Sequence, residues 1–146
     1  MTELLRRDDA GNPPRLLIDD EGGSPLRCCL TKAEAGAEIA LVSYAPLRRW
    51  AVENGVEPGA YDEVGPVFVH AGECPGQEGE GWPVAHTAQR VLRAYTAKGT
   101  IHSGRLLPAG ADPEAWLEEL FAEPEVAVVH VRAVEFGCFQ FAAHRS

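Results

Sequence analysis

Histidine, cysteine and arginine are the side chains of this sequence whose types and spacing can carry chemistry. His70 closes the apolar run Val67-Phe68-Val69, and Cys74 follows four residues later. An imidazole that titrates near neutrality suits a general acid or base, and a neighbouring thiol can act as nucleophile or ligand. His130 and Arg132 lie two apart in a β-branched run, so on an extended strand they share a face while Val129 and Val131 point to the other. Such a strand either floors a pocket or presents one ordinary solvated face. His70, His130 and Cys74 are therefore the catalytic candidates. Arg132, Arg27, Arg90 and Arg93 are candidates for holding a small anion, because guanidinium groups match carboxylate and phosphate geometry. Tyr61 and Glu63, just before the Phe68 run, are added as polar groups for the same end as His70. The competing reading pairs these arginines with surplus acids such as Glu63, Glu78 and Glu80.

A metal centre is the alternative use of the same residues. His70, Cys74, His130 and Cys138 are acceptable zinc ligand types, although no Cys-x-x-Cys pair is present. The vicinal pair Cys28-Cys29 would put its side chains on opposite faces of a strand, so only one of the two could join. The first expectation is a site without metal or cofactor, with zinc as its rival. A triad of Ser43, His70 and Asp62 can be written on paper, but no nucleophile elbow supports it.

Strands and helices must position these groups. Strands are expected at Ala37 to Tyr44, Gly65 to His70, Val126 to Val134 and Cys138 to Ala142, with a weaker one at Thr100 to Leu107 and an edge strand at Leu16 to Ile18. Helices are expected over Pro46 to Asn54 and from Pro113, where Asp112 supplies the cap and Pro124 the stop. A further helix is expected over Pro83 to Ala97, from Val84, Ala88, Val91, Leu92 and Tyr95 at spacings of three and four. On that helix His86, Arg90 and Arg93 form one stripe. The stretch Gly72 to Pro83 reads as a long loop, and Thr31 to Glu34 as at most one turn. Without regular βαβ alternation, the fold class is α+β: a mixed, mostly antiparallel sheet with two or three helices in a single domain spanning 1-146, residues 1-25 being irregular.

Composition bounds the rest. A chain of 146 residues, 45% hydrophobic and 24% charged, has enough apolar sequence to build a core. A net charge of -9 repels phosphate backbones and anionic lipid, so neither nucleic acid nor a membrane is expected as a partner. Nor does any apolar run reach the roughly 18 residues of a span. The charged N-terminus lacks the apolar stretch of a secretory signal, so cytoplasmic residence and reduced thiols are expected. Trp50, Trp82 and Trp116 could anchor a homodimer if exposed.

The segments Ser24-Pro25-Leu26-Arg27-Cys28-Cys29-Leu30, Tyr61 to Ala71 with Cys74, and Val129-His130-Val131-Arg132 with Gly137-Cys138 together resemble the bacterial family known as domain of unknown function 1203. The resemblance runs from about Pro25 to the C-terminus. The chain departs from the family pattern at Arg48 to Ala60 and in the loop after Cys74. The resemblance implies a small bacterial domain and supplies no reaction and no catalytic residues. From the residues, the leading expectation is a small enzyme or binding protein for a small anionic molecule. A metal-binding protein and a non-enzymatic interaction domain are its rivals.

Overall fold

In the computed structural model, which describes residues 1–145, alternation along strand β2 (Ala37–Tyr44) becomes two apolar layers. Its Ala40 and Val42 bury with Val67 and Val69 of β3 (Gly65–His70) and with Leu4, which the 3-10 helix Thr2–Leu5 sets against that face. Its Ile39 turns the other way, to Leu26, Cys29 and Ala33 of the irregular segment after the first strand. That strand, β1 (Arg15–Asp19), forms the edge of an antiparallel sheet ordered β1-β2-β3. Buried Asp8 fastens the N-terminal segment to it by accepting the backbone N–H groups of Ala10 and Asn12 on Oδ1 and that of Ser43 on Oδ2.

The second sheet is also antiparallel, ordered β5-β4-β6-β7, from β4 (Arg90–Thr96), β5 (Ile101–Leu107), β6 (Val126–Ala133) and β7 (Phe139–His144). Helix α1 (Pro46–Asn54) packs Leu47 and Trp50 against Tyr95 and Val128 on one face. Helix α2 (Pro113–Phe121) starts as its sequence dictates. The Asp112 side chain accepts the Glu114 N–H, Pro113 occupies the first turn, and buried Leu117 and Leu120 line the apolar stripe. Residues 1–45 with 64–85 make one compact unit, and 46–63 with 86 onward make another. The α+β class and the antiparallel pairing are as expected. Two sheets stand where one was expected, and no helix among the described residues is long and apolar enough to cross a membrane.

The expected helix over Pro83 to Ala97 is corrected: residues 90–96 are the central strand β4, and Val84 is 94% exposed. Leu92 and Ala94 on one face and Tyr95 on the other are all buried, so both faces of the strand are covered. Two flanking strands satisfy its backbone groups, and that tertiary pairing outweighs a helical spacing of apolar residues that a short run can show by chance. The helical stripe of His86, Arg90 and Arg93 therefore does not exist. Arg90 and Arg93 project to opposite faces of a strand. All three tryptophans are half-buried rather than exposed anchors.

Candidate functional site

The first unit gathers three thiols and one imidazole. Leu26 N–H donates to Thr31 O and Leu30 N–H to Leu26 O, which closes Arg27, Cys28 and Cys29 into a tight turn with Leu30 in the left-handed region at φ 61°. A non-glycine residue there carries strain that the surrounding contacts must hold. The turn is docked on β3 by Arg27 N–H donating to Phe68 O. The vicinal cysteines are thus in a turn, not a strand, and the expectation that only one of them could face a site is overturned. The ligand atoms of Cys28, Cys29, His70 and Cys74 all lie within 4.8 Å of one another.

His70 ends β3 opposite Ile39, as its place at the close of an apolar run suggested. Its Nδ1 lies 3.3 Å from Cys28 Sγ and 3.9 Å from Cys29 Sγ, and its backbone N–H donates to Cys28 Sγ at 3.3 Å. Thr31 Oγ1 lies 3.0 Å from Cys29 Sγ. Burial pushes the Cys28 thiol up to about 12, helped by the Cys74 and Cys29 thiols and opposed by the His70 N–H. A cavity of about 190 Å³ opens beside the cluster, lined by Cys28, His70 and Cys74 with Met1, Leu5 and Val69. All four cysteines of the chain are free thiols.

The second unit holds most of the other expected residues. His130 pairs with Arg93 and Arg132 with Val91 across β6 and β4, so His130, Arg132 and Arg93 share one face with Tyr95. That face is not solvated: His130 is 1% and Arg132 7% exposed. The His130 ring lies between Tyr95 and Phe139, at centroid distances of 4.7 and 5.0 Å. Burial pulls its pKa down to about 3, with the positive charges of Arg132 and Arg93 adding to the effect. Glu63 meets both arginines, Oε1 at 2.8 Å from Arg93 Nη1 and Oε2 at 3.3 Å from Arg132 Nη2.

The remaining candidates sit apart from these groupings. Arg27 is buried in the first unit and its Nη1 donates to Pro25 O. Arg90 Nη2 lies 3.4 Å from His86 Nδ1, and burial lowers its pKa against the nearby Glu135 carboxylate. Tyr61 is exposed in the 3-10 turn Gly59–Tyr61, and the neighbouring Asp62 is taken by Arg48 at 2.9 Å. Of the four ligands expected for zinc, His70 and Cys74 are in the cluster, while His130 and Cys138 belong to the second unit. Cys28 and Cys29 were missed because only a turn lets adjacent thiols converge. Pro25 before them and Thr31-Lys32 after them were the available signal for one.

Among protein families, the model described as protein of unknown function (DUF1203) matches residues 23–145. No curated protein and no solved structure matches the chain.

Proposed function

This chain belongs to the DUF1203 family, whose function is unknown, and we propose that it is a metal-binding protein that takes zinc between Cys28, Cys29, His70 and Cys74. The observation that carries the reading is the convergence of four soft or borderline donors within 4.8 Å. Tetrahedral zinc with sulfur and nitrogen ligands separates its donor atoms by roughly 3.5–3.8 Å, and the two sulfur to Nδ1 distances of 3.3 and 3.9 Å bracket that value. Three thiols with one imidazole favour zinc over magnesium or calcium, which take oxygen donors. The His70 N–H on Cys28 Sγ and the Thr31 hydroxyl beside Cys29 Sγ supply the outer hydrogen bonds that thiolate ligands need.

Four protein donors fill a tetrahedral shell, which is the pattern of structural zinc. Zinc held there would tie the Cys28-Cys29 turn to the end of β3 and to the loop after it. Binding must displace thiol protons, including the one that burial holds on Cys28, so affinity falls as the medium is acidified.

Elemental analysis of protein grown in zinc-supplemented medium and purified without chelator tests the reading. About one zinc per chain is expected, with a large loss in Cys74→Ser and no loss in Cys138→Ser. A metal-free parent protein, or a Cys74→Ser variant that keeps its full complement, defeats it.

A further inference from the structure

In the second unit, we propose that Arg93 and Arg132 form a clamp for a short monocarboxylate, in which Glu63 is the resident occupant that the ligand displaces. The two guanidinium groups converge on a single carboxylate and take one oxygen each, at 2.8 and 3.3 Å. Cross-strand register places them: Arg93 stands opposite His130 and Arg132 two residues further along β6. Each is also tethered. Arg93 Nη1 donates to Tyr95 Oη at 3.4 Å, and Arg132 Nη1 donates to Gly137 O at 3.0 Å. Each arginine therefore keeps one hydrogen bond that does not involve Glu63.

Three features separate this grouping from an ordinary structural ion pair. The first is cost, because a guanidinium placed in a sheet interior loses hydration that a surface pair would keep. Arg132 is 7% exposed, and its Nε has no hydrogen-bond partner. The second is charge. Two arginines facing one carboxylate leave a net positive charge, and the adjoining imidazole of His130, itself 1% exposed, leaves its Nδ1 unpartnered as a further polar contact. The surplus positive charge favours an incoming oxyanion.

The third is the character of the occupant. Glu63 is 48% exposed and lies in an irregular segment just after the 3-10 turn Gly59–Tyr61, so its side chain can swing into water without breaking a helix or a strand. A side-chain carboxylate on two methylenes fits the clamp, which sets the ligand class as a short aliphatic carboxylate. A tethered carboxylate competes with free ligand at the effective concentration of its tether, so the parent protein binds such anions weakly.

The test is titration of Glu63→Ala with acetate, read by two-dimensional NMR and thermal shift, against chloride at equal ionic strength and against inorganic phosphate. Acetate is expected to bind Glu63→Ala about tenfold or more tightly than the parent protein and to raise its Tm beyond the chloride control. Glu63→Ala/Arg93→Ala should lose both effects. Phosphate binding equal to acetate would reject the monocarboxylate class, and acetate acting no better than chloride, or equally on the double variant, would overturn the clamp. Should Glu63→Ala not fold, Glu63→Gln carries the same comparison, since it removes the competing charge and keeps the length. Zinc content is not a readout of this experiment.

Discussion

His130 shows at the scale of one residue how burial changes chemistry. The residue pair His130 and Arg132 was legible as a shared strand face, but that the face is covered was not. A neutral imidazole between two aromatic rings is poorly suited to proton transfer near neutrality, because its pKa is held at about 3. Its role in stability follows from that value. In the unfolded chain the imidazole takes a proton as pH falls through 6.5, whereas the folded protein resists until about 3. The unfolded state therefore binds more protons in that window, so stability is full above 6.5 and is lost on acidification. The loss attributable to this group is on the order of 4–5 kcal/mol as pH nears 3. Urea denaturation from pH 7 to 4 should show a steeper decline for the parent protein than for His130→Phe. Identical slopes would mean that the imidazole is not held neutral.

At the scale of elements, every strand but β4 and both helices followed from alternation, capping and turn chemistry. Strand β4 did not, because Val91, Leu92 and Tyr95 satisfy a helical spacing as well as an extended one, and only pairing on both sides decides between them. The turn that brings Cys28 and Cys29 together was signalled only by Pro25 and Thr31-Lys32, and what it does could not be read from them for a related reason: it is held by contacts with β3 and with the preceding loop. Gly22 is one such contact. It sits at φ 78°, and a Cβ there would lie 2.8 Å from the Ala35 backbone nitrogen, inside the segment that carries the thiols. Gly23, at φ 96°, has nothing within 4 Å. Gly22→Ala should therefore cost more stability than Gly23→Ala, by about 1–3 kcal/mol in chemical denaturation, because it adds a clash to the strain that both share. Equal costs would show that the backbone at Ala35 can move aside.

Across the whole molecule, the two units divide the candidate chemistry: a thiol and imidazole cluster in the first, an arginine and carboxylate grouping in the second. The proposed zinc site lies in the first, and removal of metal should be felt there. Hydrogen exchange after chelation is expected to accelerate at residues 26–31 and 70–76 and to leave β4 and β6 unchanged. Uniform acceleration in both sheets would argue that the metal supports the entire fold instead. Composition alone established an acidic chain able to build a core, and local patterns established most strands, both helices and the His70 strand end. Periodicity and propensity act over a few residues, so they reach that far and no further. Which residues meet was decided by tertiary structure: adjacent thiols converged through a turn, and Glu63 found two arginines on separate strands. The meeting of Cys28 with His70 and of Glu63 with its two arginines joins residues dozens of positions apart, and contacts at that range depend on register and burial, which no local spacing records.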